Sequence, residues 1–318
     1  MAILGIKRLI FGVEDPAECR RFFTDFGLEP VESANEFTLP EGSSVILHSA
    51  NDPSLPATST EGSGVREVIW GVDSPVALRA IHENLARDRP VQEDSGGAIH
   101  SHDDIGLAIG FEVFQRALPV RETPSDNTPS QVRRWNRHRD WYSEAHPSVI
   151  FHVVFGTPDV DAGVNFYTQR LGFRVTDVNR GLGVFMRCDG RHEHHNLFLL
   201  KMPKTAFNHV SFGVENIDEM MAGTSKMHRC GWQVGMGPGR HRVSSWLFTY
   251  FRSPTGGQIE YSADGDYVND DWTPSLYDFP FAHVQWTTQL DTNTKQAPGT
   301  AEPLGASVPK LAETVRSS

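Results

Sequence analysis

Two histidines stand at the same place in two copies of one short motif. His152-Val-Val-Phe-Gly156 and His209-Val-Ser-Phe-Gly213 differ only at their third residue. Each copy has β-branched or aromatic residues in its middle and a glycine at its end, which predicts a short strand. An acidic, turn-prone segment and a helical pattern follow each strand. The histidines therefore occupy the same position of two β-α-β units, and packing about a pseudo-twofold axis would bring the two imidazoles to one point.

A carboxylate completes this group. The segment from Ser253 to Gly257 predicts a turn, and the strand after it carries Glu260 between Ile259 and Tyr261. Buried glutamate is rare unless it is paired or binds a metal. Two neutral imidazoles and one carboxylate form the facial triad of non-haem Fe(II) oxygenases, which leaves about three coordination positions open. The alternative is a partly buried histidine pair with a carboxylate at the rim, but the repeated strand favours a metal site.

The surrounding segments predict the elements that hold these residues. Each helical pattern places its apolar residues on one face, namely Val160, Val164, Tyr167 and Leu171 in the first helix and Ile217, Met220, Met221 and Thr224 in the second. Tyr250 precedes Glu260 by ten residues, so a hairpin about the Pro254 turn would set their strands side by side.

A second hairpin is predicted between the helix and the second histidine strand. Its strands are Gly183–Cys188 and Asn196–Lys201, and Asp189-Gly190 begins the loop. The loop residues His192 and His194 are interpreted as polar and exposed. His195 differs, because it stands where the chain turns inward.

The first 112 residues repeat the same paired unit in degenerate form. The segment from Arg8 to Gly12 aligns with the first histidine strand, and Glu67-Val-Ile-Trp-Gly71 aligns with the second. Ser74 is predicted to cap the helix that follows. Arg8 and Glu67 occupy the positions of the two histidines, and Gly110 falls near the position of Glu260. Because arginine cannot ligate a divalent metal, this module is predicted to bind no metal and to serve the structure.

These segments divide the chain into four parts. A non-metal-binding module spans residues 1–114, a connector 115–147, a metal-binding module 148–286, and a tail rich in Thr, Ala, Pro, Gly and Ser spans 287–318. The composition of the tail predicts disorder.

Several motifs together resemble the type I extradiol ring-cleaving catechol dioxygenases of the vicinal-oxygen-chelate superfamily, such as the 2,3-dihydroxybiphenyl 1,2-dioxygenases. The motifs are His152 opening a strand, Arg191-His192-Glu193-His194-His195-Asn196-Leu197, Phe207-Asn208-His209-Val210, Gly239-Arg240-His241, Tyr250, and the Ser253-Pro-Thr-Gly to Ile-Glu260-Tyr run. The resemblance covers residues 1 to about 285, and its specific motifs all lie in the second half of that range. It implies an α+β fold of two modules, each made of paired βαβββ repeats, known as the vicinal-oxygen-chelate or glyoxalase-like fold.

The resemblance also implies roles. His152, His209 and Glu260 would ligate Fe(II), His195 would be the acid/base histidine, and His241 and Tyr250 would contact the substrate or support the site. The enzyme would open a catechol ring next to its two hydroxyls with O2, in the degradation of aromatic compounds. A homo-oligomer is expected, since such repeats often assemble.

The chain departs from this family at one place. The family usually continues Gly-Arg-His with Thr-Asn-Asp-His, whereas Arg242-Val-Ser-Ser245 stands here. One hypothesis is that Arg242 faces the pocket and pairs with a carboxylated catechol. The alternative is an exposed arginine on a loop.

Composition excludes other classes of function. The formal charge of −11 disfavours nucleic acid as a partner. The chain has no apolar run near 18 residues and no signal-peptide architecture, so a soluble protein without a membrane span is expected, located by default in the cytoplasm. Three cysteines without a Cys-x-x-Cys pair argue against a disulfide framework and a thiolate zinc site.

Three rival functions remain open. One is a Zn- or Ni-dependent isomerase or epimerase of the glyoxalase type, since histidine and carboxylate also bind those metals. Another is a dioxygenase of the hydroxyphenylpyruvate type, which shares the triad. The third is a ligand-binding or resistance protein of the same fold without turnover.

Overall fold

The computed structural model describes residues 2–32, 35–56, 62–118, 120, 126–139, 141–288, 299–305 and 307–314. The first module consists of β1 (Ile3–Val13), α1 (Pro16–Asp25), β2 (Glu29–Pro30), β3 (Glu36–Thr38), β4 (Ser44–Ser49), β5 (Gly64–Val72), α2 (Pro75–Leu85), β6 (Gln92–Glu93), β7 (Ile99–His102) and β8 (Ala108–Val113). No helix in these ranges is long and apolar enough to cross a membrane.

The second module repeats this order and adds short elements at its end. It consists of β9 (Val149–Thr157), α3 (Val160–Asn165) with a π-helical turn (Phe166–Arg170), β10 (Arg174–Asn179), β11 (Gly183–Arg187), β12 (Leu197–Lys201), β13 (Ala206–Gly213), α4 (Ile217–Arg229), β14 (Val234–Arg240), β15 (Leu247–Arg252), β16 (Gln258–Ala263), β17 (Ser275–Tyr277), β18 (Trp286–Thr287), β19 (Ala301–Pro303) and a 3₁₀ turn (Leu311–Thr314).

Both sheets have the same central order. The first sheet has the strand order β2-β3-β4-β1-β5-β8-β7-β6. The second contains the order β10-β11-β12-β9-β13-β16-β15-β14, which matches the first strand by strand. In each module the two long strands that open the repeats pair antiparallel, and each pairs parallel with the last strand of its own repeat. The predicted α+β fold of two modules with paired βαβββ repeats is therefore confirmed.

Local sequence accounts for two of the helices. Ser74 caps α2 by accepting the backbone N–H of Ala77 at 3.2 Å, as predicted. The apolar face predicted for the first helix of the second module is confirmed, because Val160, Val164, Tyr167 and Leu171 are all buried.

The predicted face of α4 is wrong in part. Met220 is buried, but Ile217 and Met221 are each 40% exposed, and Glu219 is fully buried instead. The Glu219 carboxylate accepts the backbone N–H groups of His146 at 2.8 Å and Glu215 at 2.7 Å. This carboxylate satisfies two donors of the connecting chain, and the helix therefore turns a charged residue inward.

The first module fills the place of a metal site with its own ion pairs. Glu67 pairs with Ala108 in register, as His209 pairs with Gln258, so Gly110 matches Glu260. Arg8 lies 2.5 Å from Glu112, and Glu67 lies 2.7 Å from His100. A Cβ at Gly110 would lie 2.4 Å from Ile69 and 3.0 Å from a backbone oxygen, so a side chain at that position would require Ile69 to move.

The two modules share one hydrophobic core. Phe26 at the end of α1 stacks on Tyr261 of β16 with ring centroids 4.0 Å apart. The Tyr261 hydroxyl donates to the Phe26 carbonyl at 2.7 Å. At the other side of the interface, Trp70 of β5 packs edge-on against Phe173 at 5.1 Å.

The expectation of a disordered tail is wrong for the residues that the structure describes. Strand β19 pairs with β17, and Leu304 and Leu311 join the core. Thr314 accepts the backbone N–H of Gly181 at 2.9 Å. A polar, proline-rich composition does not prevent a segment from docking when a few apolar residues find a groove. Residues 289–298, 306 and 315–318 of the tail, and 119, 121–125 and 140 of the connector, lie outside the described residues.

We predict that Tyr261→Phe lowers the free energy of unfolding by about 1–2 kcal/mol, because the buried Phe26 carbonyl loses its donor while the ring stack is kept. Urea denaturation measures the change. Tyr267→Phe, at a tyrosine that is 65% exposed, is the matched control and should change stability little. An equal effect of both substitutions would contradict the prediction.

Candidate metal centre

Sheet register brings the three predicted ligands to one face. In the antiparallel pair of β9 and β13, His152 lies opposite Ser211, and His209 lies opposite Val154. In the parallel pair of β13 and β16, Ser211 lies beside Glu260. Because side chains alternate along a strand and paired residues share a face, His152, His209 and Glu260 all project to the same side of the sheet.

The ligating atoms converge closely. One atom from each of the three side chains lies within 4.8 Å of the others. The Nε2 atoms of His152 and His209 are 3.3 Å apart. Glu260 Oε2 lies 3.2 Å from His152 Nε2 and 3.6 Å from His209 Nε2. Glu260 is fully buried and His152 is 3% exposed, while the edge of His209 reaches the pocket.

The charge states of two of these groups suit a cation. Burial lowers the pKa of His209 to about 3, so its imidazole is neutral at pH 7. Burial raises the pKa of Glu260, but the neighbouring imidazoles of His152, His241 and His209 outweigh that effect and hold the pKa below its ordinary value. A buried carboxylate thus faces a neutral imidazole, which is the state in which such groups bind metal.

Unpartnered polar atoms show that the residues fit a metal. Both carboxylate oxygens of Glu260 are buried, and neither has a hydrogen bond of good geometry among the described residues. His209 Nδ1 lies 2.8 Å from Asn208 Oδ1, which accepts its proton and leaves the lone pair on Nε2, the nitrogen that faces His152 and Glu260. Sequence reasoning missed this role of Asn208, although Asn208 stands next to a predicted ligand. A divalent cation at the convergence point would satisfy the unpartnered lone pairs.

Tyr250 and His241 lie beside the three ligands. Tyr250 of β15 is opposite Glu260 of β16, so its side chain shares the face of the ligands. The Tyr250 hydroxyl lies 3.1 Å from His241 Nε2, and that nitrogen lies 3.9 Å from Glu260 Oε1. The other nitrogen of His241 contacts the backbone carbonyl of His283. No pattern in the sequence pointed to His283, which lines the pocket from the segment after β17.

The His195 ring packs against the ring of His152, one of the three candidate metal ligands. Its ring centroid is 4.2 Å from that of His152 and 4.9 Å from that of Phe185. Burial, aided by the surrounding imidazoles, lowers the pKa of His195 well below its ordinary value. A neutral imidazole at this place can accept a proton.

The interpretation of His194 as an exposed loop residue is wrong. Its side chain is fully buried, because the 266–268 segment folds over the loop. The backbone carbonyl of Asp266 accepts the N–H of His194, and Val268 donates to the His192 carbonyl. His194 contacts both Asp177 and His195.

One cavity of about 500 Å³ is lined by His152, His195, His209, His241 and Tyr250. Its lining also includes the apolar residues Phe185 and Phe198, whose rings stack with centroids 4.0 Å apart. Asn179 lines the cavity as well, is 3% exposed, and its side-chain oxygen has no partner among the described residues. The cavity therefore joins a polar end, where the candidate metal ligands converge, to an aromatic surface on which a flat apolar ring could pack.

The hypothesis that Arg242 faces the pocket is wrong. Its guanidinium donates to the carbonyls of Phe281 and Val284 and lies over the Phe281 ring at 4.3 Å. The N–H groups of Arg242 are thus engaged by backbone carbonyls of the protein and are not directed at a substrate.

Comparison with known proteins assigns the family. Residues 149–261 match the Glyoxalase/Bleomycin resistance protein/Dioxygenase superfamily. The chain is 31% identical to 3-methylcatechol 2,3-dioxygenase of Pseudomonas putida over 224 residues, which cover 65% of this chain and 73% of that protein. The chain belongs to the extradiol dioxygenase family. It is also 30% identical to Metapyrocatechase 2 of Cupriavidus necator over 193 residues, 60% of this chain but only 59% of that relative.

Solved structures share the fold of this extradiol dioxygenase family member. A Mn(II)-bound glyoxalase from Novosphingobium aromaticivorans superposes with a TM-score of 0.72 at 23% identity, over 93% of this chain and 95% of that one. BphC, a halotolerant catechol dioxygenase, superposes with a TM-score of 0.68 at 17% identity, over 95% and 99%. Among the relatives in sequence, one is named iron-dependent and another manganese-dependent.

We predict that Glu260→Gln weakens metal binding. Mn(II) at about one hundred times its dissociation constant should stabilise the unsubstituted protein by about 2.7 kcal/mol. The glutamine amide keeps the volume of the side chain but loses the charge, so the same Mn(II) concentration should stabilise this variant far less. Thermal unfolding with and without Mn(II) measures the difference. Glu83→Gln, on an exposed face of α2, is the control, and an equal response of both variants would contradict the assignment.

We predict that Arg242→Ala leaves the relative affinity for 3,4-dihydroxybenzoate and catechol unchanged, because the guanidinium points to the 281–284 backbone. The substitution should instead lower the free energy of unfolding by about 1–2 kcal/mol through the lost hydrogen bonds. Anaerobic titration and urea denaturation give the two readouts, with exposed Arg87→Ala as control. A selective loss of 3,4-dihydroxybenzoate binding would restore the original hypothesis.

Proposed function

We propose that this protein is an Fe(II)-dependent extradiol dioxygenase that opens a catechol-type ring next to its two hydroxyls with O2, in the degradation of aromatic compounds. The observation that carries this proposal is the buried, unpartnered Glu260 carboxylate between His152 and His209, at the polar end of a cavity with an aromatic wall. Membership of the extradiol dioxygenase family supports it.

His152 Nε2, His209 Nε2 and a Glu260 oxygen would hold the metal. When bound, Fe(II) supplies a Lewis acid that acidifies the catechol hydroxyls and holds catechol and O2 together. Asn208 keeps His209 in the tautomer that ligation requires, by accepting its Nδ1 proton.

The remaining polar residues act on protons and hydrogen bonds. His195, with Nε2 free, takes a proton from a catechol hydroxyl and later returns one to the opening product. General acid–base catalysis of this kind contributes about 10²–10⁴-fold. The Tyr250 hydroxyl and His241, 3.1 Å apart, would donate hydrogen bonds to substrate oxygens.

The apolar wall binds the ring and excludes water. Phe185 touches His195 edge-on and stacks on Phe198, so the acid/base group lies between the metal end and the aromatic surface. Low polarity around these groups strengthens the electrostatic interactions between the bound catechol and the polar end.

One experiment separates this proposal from the glyoxalase-type alternative, since a Mn(II)-bound glyoxalase shares the fold. The protein is purified without oxygen, its metal content is measured, and Fe(II)-, Mn(II)- and Zn(II)-loaded forms are mixed with a panel of catechols in an oxygen cell. Oxygen uptake with a yellow ring-fission product, of the hydroxymuconic semialdehyde type, supports the proposal. No oxygen uptake by any form would overturn it and leave the isomerase as the working hypothesis.

We predict that His195→Gln lowers kcat by about 10²–10⁴-fold while metal content and anaerobic catechol affinity are retained, because only proton transfer is lost. His228→Gln, on an exposed face of α4, is the control. A His195→Gln enzyme with unchanged kcat would remove His195 from the chemistry.

A further inference from the structure

Three buried side chains form a line that ends at the pocket. Asp177 Oδ2 of β10 lies 2.8 Å from His194 Nε2, and His194 Nδ1 lies 3.0 Å from His195 Nδ1. Asp177 and His194 are fully buried, and His195 is 4% exposed. For the second nitrogen of His195, Nε2, the described residues provide no hydrogen-bond partner, and His195 lines the cavity.

The direction of each hydrogen bond follows from the chemistry at the Asp177 end. An ionised carboxylate only accepts, so His194 Nε2 must carry the proton. The other oxygen of Asp177 accepts the backbone N–H of Ser275 at 2.6 Å. Burial raises the pKa of Asp177 above its ordinary value, while the N–H groups of His194 and Ser275 oppose that effect by favouring the ionised form.

The proton position on His194 in turn determines which nitrogen of His195 carries a proton. A neutral imidazole that donates from Nε2 can only accept at Nδ1. His195 must therefore place its proton on Nδ1 and donate it to His194. The result is a bare Nε2 on His195, the nitrogen that is not engaged in the line.

We propose that Asp177 and His194 are positioning residues that hold His195 in the Nδ1–H tautomer, with the lone pair of Nε2 directed into the pocket as proton acceptor for a catechol hydroxyl. This inference rests on the proposed function for its consequence, but the tautomer itself is a property of the folded chain. The same device, a buried carboxylate that fixes the tautomer of a catalytic imidazole, operates in serine hydrolase triads.

Packing holds the line in place. The His194 and His195 rings are nearly perpendicular, at 89°, so the nitrogens meet edge to edge. The Trp272 ring packs edge-on against the His194 ring with centroids 6.0 Å apart. Its indole N–H donates to the carbonyl of Thr176, which precedes Asp177. Water therefore does not compete for these hydrogen bonds.

A pair of substitutions tests the order of protons. In Asp177→Asn, the amide can donate to His194 Nε2, which moves the His194 proton to Nδ1 and forces the His195 proton onto Nε2. We expect kcat to fall by about 10²–10⁴-fold, while metal content and anaerobic catechol affinity stay unchanged. In His194→Gln, the amide nitrogen still donates to Asp177 and the oxygen still accepts from His195, so most of kcat should remain. Asp271→Asn, at an exposed position of the same module, is the matched control.

A spectroscopic readout is independent of activity. The full chain, labelled with ¹⁵N-histidine and loaded with diamagnetic Zn(II), should show His195 with a protonated Nδ1 and an unprotonated Nε2. The His195→Gln variant assigns the resonances. In Asp177→Asn the two nitrogens should exchange roles.

The outcomes separate the inference from the proposed function. A proton on His195 Nε2 in the unsubstituted protein, or full kcat in Asp177→Asn, would overturn the inference. An unsubstituted protein that shows the Nδ1–H tautomer but consumes no oxygen with any catechol would refute the function and leave the tautomer assignment standing. If Asp177→Asn does not fold, the spectrum of the unsubstituted protein and the kcat of His194→Gln still decide.

Discussion

The antiparallel pairing of β9 with β13 is the contact on which the site depends. Its register sets His152 opposite Ser211 and brings the two histidine Nε2 atoms to 3.3 Å. A slip of one residue would turn one histidine to the other face of the sheet, because side chains alternate. The parallel partner β16 then adds Glu260, and β15 adds Tyr250 opposite it. The three candidate ligands thus lie on central strands and not on loops, which keeps their mutual distances rigid.

The first module, where Arg8 and Glu67 stand at the positions of the two histidines, reaches the second through buried charges. Glu41 accepts the backbone N–H of Ile150 at 2.6 Å, at the start of the strand that carries His152. Arg116 pairs with Glu41 and lies 3.3 Å from Glu193, in the loop that leads to His195. Removing one partner of such a buried pair typically lowers the free energy of unfolding by about 3–5 kcal/mol, because the remaining charge is buried without a partner. The first module and the connector residue Arg116 therefore support both the strand that carries His152 and the loop that leads to His195.

The segment from His241 to Ser245, where the chain departs from the family motif, binds the backbone of residues 281–284. Arg242 binds the carbonyls of Phe281 and Val284, and His241 Nδ1 contacts the carbonyl of His283. These contacts hold His283 at the pocket, where burial lowers its pKa to about 3 and keeps it neutral. The His283 ring thus lines the pocket with its centroid 5.2 Å from that of His241.

Local patterns in the sequence were enough to determine the repeated βαβββ units, the cap at Ser74, the apolar face of α3, and the three residues that converge at the candidate metal site, because strand alternation and helix spacing act over a few residues. Tertiary structure alone decided the contact of Asp177 with His194, the inward turn of Glu219 on α4, and the docking of the tail at Leu311. Arg242 likewise turned to backbone carbonyls that come from a distant segment. Each of these outcomes depends on which donors and grooves the rest of the chain brings nearby, and no local period in the sequence records that.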